Sequence, residues 1–115
     1  MTVKDLASQM SLKNWTPDAD LTSPITGGYA GDMLSWVMSR AQAGCVWMTI
    51  MSNQNVAAAA LMADVACVVL TEDVQPYKAL AEQARARGLP LFTTPLSTYQ
   101  FSCRLGALLA GTQEP

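Results

Sequence analysis

The sequence predicts an α/β fold: a three-layer, Rossmann-like parallel sheet flanked by helices, with a short helix at the N-terminus. Three observations carry this. Apolar, strand-like runs alternate four times with runs of helical period after residue 25. Those runs are apolar on both faces, as strands covered by helices on both sides must be. Cap and stop residues fall between them, and such alternation, joined by right-handed crossovers, builds a parallel sheet.

The first element is a helix over residues 2–10, with Thr2 as N-cap and Val3, Leu6, Ala7 and Met10 as its apolar stripe. "WTPDADLTSP" follows, with turn chemistry that reads as a loop or a weak hairpin. Residues 1–20 therefore stand as an N-terminal helix and loop before an α/β unit over 21–115, one globular domain in all. The first strand of that unit, residues 25–30, is weak because Gly27 and Gly28 bring no side chains. Asp32 offers an N-cap to a helix carrying Met33, Leu34, Val37, Met38 and Ala41, and Gly44 offers its stop. "CVWMTI", residues 45–50, is a second strand, polar only at Thr49. In "SNQN", Asn53 is the expected cap of "VAAAALMA", whose alanines suit close packing on a sheet. "ACVVL", residues 66–70, is the third strand. Pro76 fits the first turn of a helix that runs to Arg87 and stops at Gly88. "PLFTT" is the fourth strand. "STYQ" resembles a capping box, with Ser97 as cap and Gln100 reaching back, before a helix whose Phe101, Leu105, Leu108 and Leu109 face the core.

Half of the 115 residues are apolar, enough for one core. Seven Lys and Arg against nine Asp and Glu leave a net charge of −2. That balance argues against nucleic-acid and anionic-membrane partners, both of which need clustered positive charge. With no histidine, the commonest metal ligand and the commonest general base are missing, and a Ser-His-Asp or Cys-His mechanism within the chain is excluded. Cys45, Cys67 and Cys103 lack metal-site spacing and read as small buried hydrophobes. Neither a cofactor nor a metal is expected. The N-terminal stretch lacks the apolar core of a signal peptide, and Asp64 interrupts the long apolar run "VAAAALMADVACVVL", so the expected location is cytoplasmic.

Loops that follow the strands of a parallel sheet gather along one edge, where ligands usually bind. Here they are "GYAGD", "SNQN", "TED" and "TTPLS", each ahead of a helix N-terminus whose free N–H groups favour an anion. The candidate ligand-binding residues are Gly28, Gly31, Asp32, Ser52, Asn53, Asn55, Thr71, Thr93, Thr94 and Ser97, with Ser35 beside them. A structural duty competes at several of these. Asp32, Asn53 and Ser97 stand where helices need caps. Gly27, Gly28 and Gly31 match neither G-x-G-x-x-G nor the Walker pattern, and no lysine is near. Asp32, Glu72 and Asp73 add negative charge that opposes phosphate, while Arg40, Arg85, Arg87 and Arg104 lie within or at the ends of helices, poorly placed to offset it. Trp36 falls off the apolar stripe of its helix and, with Met51 and Met62, suits a protein contact; the competing reading is a wide core-facing stripe.

The series from "ITGGYAGDMLSWVM" through "CVWMTIMSNQNVAAAALMADVACVVLTEDVQP" to "GLPLFTTPLSTYQFSCRL" resembles a DRTGG domain. That family is similar to the N-terminal domain of HPr kinase and to a segment of some long phosphotransacetylases. The resemblance covers about residues 21–109 and rests on the order of the segments. It implies a self-associating, regulatory module without catalysis of its own, often found beside enzymatic or nucleotide-sensing domains. The family's "DR" would fall at Ser52, Asn53, Gln54 and Asn55, and its "TGG" at Thr71, Glu72 and Asp73, where only Thr71 matches. An inherited anion site would therefore lack its arginine and both glycines. The "TGG" at residues 26–28 is a different place. Some stand-alone members are linked with iron-hydrogenase systems, which implies an accessory role.

The expectation is a non-catalytic regulatory or assembly module with a small-ligand site at the strand C-terminal edge. Its expected partners are further copies of itself, as a homodimer or higher homo-oligomer, or a protein of an enzyme complex. The alternative is a sensor of a nucleotide or phosphorylated metabolite. A third reading is a small hydrolase or transferase using Asp32 or Glu72.

Overall fold

A computed structural model describes residues 1–112, the side chain of Thr112 excepted; the last three residues of the expected α/β unit lie outside this range. In chain order the elements are α1 (Val3–Gln9), β1 (Lys13–Asn14), β2 (Gly27–Ala30), α2 (Leu34–Arg40), β3 (Cys45–Thr49), α3 (Asn55–Ala63), β4 (Cys67–Leu70), α4 (Lys78–Arg87), β5 (Leu91–Thr93) and α5 (Thr98–Thr112). The four expected strand–helix units are all present. They form one five-stranded sheet in the order β1-β5-β4-β3-β2. The sheet is mixed, which corrects the expected all-parallel arrangement: β2 to β5 are parallel, and β1 pairs antiparallel with β5 through Lys13 opposite Thr93 and Asn14 opposite Phe92. Residues 13–14 carry no alternating pattern, and only the far end of the chain supplies their partner.

Because β2 to β5 lie side by side in chain order, right-handed crossovers put α2, α3 and α4 on the same face. Val37, Val56, Ala60, Leu80 and Ala84 of these helices pack there against Cys45, Trp47, Val68, Leu70 and Leu91. The other face is covered by α1 and α5, through Val3, Leu6, Phe101 and Leu105 against Val46, Met48, Cys67, Val69 and Phe92. Every residue of β3, β4 and β5 is buried, so the expected two-sided burial holds for the central strands. Each fully buried large side chain among them contributes about 1.5–3 kcal/mol. Leu108 and Leu109 are only partly buried.

Local signals placed three of the helix ends. Thr2 caps α1 in a full capping box, its hydroxyl accepting from the Asp5 N–H while Asp5 accepts from the Thr2 N–H. Gly88 ends α4 at φ 66°, and Ser97 and Gln100 exchange the two bonds of the expected box at the start of α5. Four ends differ from the expectation. The N-cap of α2 is Met33, with no side-chain bond, because Asp32 is turned toward β3; the helix stops at Arg40, with Ala41 extended, before Gly44 is reached. Gly44, at φ 81°, instead turns the chain into β3. Pro76 lies ahead of the α4 N-cap, Tyr77, outside the helix. At α3 the N-cap is Gln54, yet the Asn53 carboxamide still accepts the Asn55 N–H at 2.9 Å.

Candidate functional site

The loops β2–α2, β3–α3, β4–α4 and β5–α5 follow the carboxyl ends of four adjacent parallel strands, as expected. At the β3 end, Asp32 Oδ1 accepts from the Thr49 hydroxyl at 2.8 Å and from the Ile50 N–H at 3.0 Å. The Thr49 hydroxyl in turn accepts the Met51 N–H at 3.2 Å. The carboxylate thus turns the chain out of β3, a role that Thr49, the lone polar residue of its strand, signalled in the sequence.

The next two loops are laced together. Glu72 and Asp73 both hold left-handed backbone at φ 61°, the conformation that favours glycine. Their N–H groups donate to the carbonyls of Leu96 and Thr94, and the flanking N–H groups of Thr71 and Val74 donate to Thr49 and Thr71. The Glu72 carboxylate accepts from the Thr98 N–H at 2.9 Å, at the positive end of the α5 dipole. The Thr71 and Thr98 hydroxyls bond each other at 2.6 Å. Thr94 accepts the Leu96 N–H. Sequence reasoning missed Thr98, whose role depends on a loop 26 residues earlier.

The remaining expected residues are spread out. Gly31 is at the edge, its carbonyl accepting from the buried Trp47 indole at 2.9 Å. Ser52 presents its carbonyl to the Tyr77 N–H, and Asn55 opens α3 on the surface. Thr93 faces the N-terminal segment, where its hydroxyl accepts from the Trp15 indole at 3.0 Å. Gly28 lies inside β2 beneath α5: a Cβ there would meet Leu105 Cδ2 at 2.8 Å, so close helix approach explains this glycine. Expected surface residues also divide. Trp36 is half exposed, with the Arg40 guanidinium 3.8 Å over its ring, and Met62 is exposed, whereas Met51 packs against the core.

Chemically, the Asp32 and Glu72 carboxylates and the Thr49, Thr71, Thr94 and Thr98 hydroxyls of the edge are already engaged by backbone or by one another. Among the described residues no cluster of three His, Cys, Asp or Glu side chains could hold a metal ion, and no helix is long and apolar enough to cross a membrane. Burial pushes the Cys67 and Cys45 thiols up, which keeps both protonated near neutrality. Exposed aromatic rings do flank the edge, Tyr77 at the start of α4 and Tyr99 in the first turn of α5.

The DRTGG domain family model matches residues 29–108, which takes in every element from Tyr29 of β2 to Leu108 of α5. The chain belongs to the DRTGG domain family. A solved structure of the CBS and DRTGG domains of the regulatory region of Clostridium perfringens pyrophosphatase, complexed with its activator diadenosine tetraphosphate, is similar with a TM-score of 0.71 at 16% identity. The match covers 90% of this chain and 45% of that one, and at this identity the shared property is the fold. No curated protein matches the chain. In this DRTGG domain the two positions expected to carry the family's glycines, Glu72 and Asp73, both hold left-handed backbone, the conformation that favours glycine.

Proposed function

We propose that this DRTGG domain is a non-catalytic regulatory module that acts by self-association. The observation that carries this reading is the self-satisfied loop edge. The N–H groups from Thr71 to Val74 go to neighbouring carbonyls, and the α5 N-terminus is filled by Glu72 and by the Ser97 box. Asp32 is committed to Thr49 and Ile50. Groups that would grip a phosphate or move a proton are holding the fold together. What is left for function is surface, and sizeable apolar side chains such as Met33 and Trp36 stand on it. Sedimentation velocity over a range of micromolar concentrations tests the reading. A reversible rise in mass with concentration is expected, and a monomer throughout contradicts it.

The alternative, a sensor of a nucleotide or phosphorylated metabolite, is supported by the pyrophosphatase neighbour, whose activator is a dinucleotide, and by the exposed Tyr77 and Tyr99 rings at the edge, which suit base stacking. A thermal-shift titration with diadenosine tetraphosphate and ATP separates the two readings. A ligand at 100 times its dissociation constant stabilises by about 2.7 kcal/mol, a readily measured shift; no movement in the melting temperature removes the sensor reading for these compounds.

A further inference from the structure

The loop after β1 carries two aspartates, and the fold uses only one of them. Asp20 accepts from the N–H and the hydroxyl of Thr22, at 2.9 and 2.7 Å. Asp18 lies in the turn that the Ala19 N–H closes on the Thr16 carbonyl, and its carboxylate has no partner among the described residues. Near the carboxyl end of α4, Arg85 donates Nε to the Trp15 carbonyl at 3.0 Å, and the rest of its guanidinium meets no carboxylate among the described residues. Thr16, Pro17, Asp18, Ala19, Arg85 and Gly88 together line a cavity of about 270 Å³. Because β1 runs against β5, with the Trp15 N–H donating to the Leu91 carbonyl, this cavity lies at the amino end of β5, away from the loop edge described above.

We propose that this cavity binds a free aliphatic α-amino acid, with the ligand carboxylate on Arg85 and its ammonium on Asp18. A guanidinium and a carboxylate that share one cavity yet leave each other unpaired suit a ligand carrying both charges. A simple anion or a simple cation would meet one like charge there, which selects against it. Arg87, the other basic residue in the last turn of α4, lines a separate groove with Gln54, Asn55 and Gln83, so the cavity holds one charge of each sign. The negative end of the α4 dipole, at Gly88, adds to the pull on the ammonium. At about 30 Å³ per water the space amounts to about nine waters, close to the size of leucine or valine. Pro17 and Ala19 give the aliphatic side chain an apolar wall.

Both charges stand on backbone that is fixed without a ligand. Thr16 is buried; its hydroxyl accepts the Leu91 N–H at 3.1 Å and its own N–H donates to Asn14 Oδ1 at 2.8 Å, which ties the turn carrying Asp18 to β1 and β5. On the other side, the Trp15 carbonyl that holds Arg85 Nε belongs to a residue whose indole is anchored on the Thr93 hydroxyl at 3.0 Å. A site ordered in advance binds at a smaller entropic cost. Engaging Nε leaves the two Nη nitrogens, whose end-on geometry matches a carboxylate with two parallel bonds. The cavity is complete within one chain, so it takes its ligand whether or not the chain self-associates.

Amide NMR of the intact chain titrated with L-leucine tests the site. Saturable shifts are expected at millimolar ligand, centred on the amides of Thr16, Asp18, Ala19 and the residues from Arg85 to Gly88. Isocaproate, which is leucine without the amine, and isoamylamine, which is leucine without the carboxylate, should each bind at least about tenfold more weakly, since each lacks one charge-assisted contact. Asp18→Asn removes a carboxylate that makes no bond within the fold, so its melting temperature should match wild type while its affinity for leucine falls about tenfold. Arg85→Gln loses the Trp15 bond as well and should weaken leucine at least as much. The site is overturned by the absence of saturable shifts with millimolar leucine, by shifts centred elsewhere, by isocaproate or isoamylamine binding as tightly as leucine, or by an unchanged leucine affinity in Asp18→Asn. None of these results bears on self-association, which the sedimentation measurement tests separately.

Discussion

Asp32 Oδ1 sits 2.8 Å from Thr49 Oγ1 and 3.0 Å from the Ile50 N–H, binding the loop after β2 to the end of β3. A residue placed by its spacing at a helix start therefore serves a neighbouring strand instead. Removing the carboxylate strands a backbone donor and frees the turn. Asp32→Ala should destabilise by about 1–2 kcal/mol, toward the lower end for a bond to a charged group because Asp32 is exposed. Urea unfolding measures it, and Thr49→Val in the Asp32→Ala background should cost less than it does alone, since the two share one bond.

Left-handed backbone at Asp73 is the second target. Its side chain makes none of the edge bonds described above, so Asp73→Gly relieves the φ 61° strain at little other loss and should stabilise by about 0.5 kcal/mol after the greater freedom of the unfolded glycine is counted. Glu72→Gly relieves the same strain but loses the carboxylate that caps the Thr98 N–H, so its melting temperature should fall below that of Asp73→Gly. Equal melting temperatures would show that the Glu72 contact adds nothing.

Thiol reactivity should separate the three cysteines. Cys45 and Cys67 are buried, with thiols pushed up by that burial, while Cys103 is exposed on α5. A thiolate-reactive dye near neutral pH should label one cysteine per native chain and all three after denaturation. Rapid labelling of a second native thiol would place a gap in the packing of β3 or β4.

Acid should weaken the N-terminal region first. The Asp5 carboxyl is held below its ordinary value by the backbone N–H and hydroxyl of Thr2, and Asp20 by the hydroxyl and N–H of Thr22. A depressed carboxyl contributes stability above its ordinary value and loses it as pH falls through the lower folded value. Combining Asp5→Asn and Asp20→Asn should therefore lower the melting temperature near neutrality and flatten its decline between about pH 5 and pH 2. An unaltered acid limb would contradict the assignment.

What could be read in the sequence was mostly local. The Ser97 box and the Gly88 stop need only residues within a few positions, and both are where the spacing puts them. The apolar periods likewise located four parallel strands and their helices. What escaped was long-range. β1 exists because Lys13 meets Thr93, 80 residues on, and Asp32 finds its partner 17 residues away. At Glu72 and Asp73 positive φ falls on residues that do not advertise it. Gly28 belongs in the sequence both to the strand over residues 25–30 and to the head of "GYAGD", and only the fold shows that it lies in β2 under α5, because a glycine that lets a helix approach and one that lets a loop turn look the same in sequence. The open edge at β2 becomes visible only once the strand order is known.

The most direct test of the central claim is the mass of the intact chain in solution by sedimentation equilibrium at micromolar concentration. The account predicts a reversible species approaching twice the 12.3 kDa protomer. A single species of protomer mass at every concentration would contradict it.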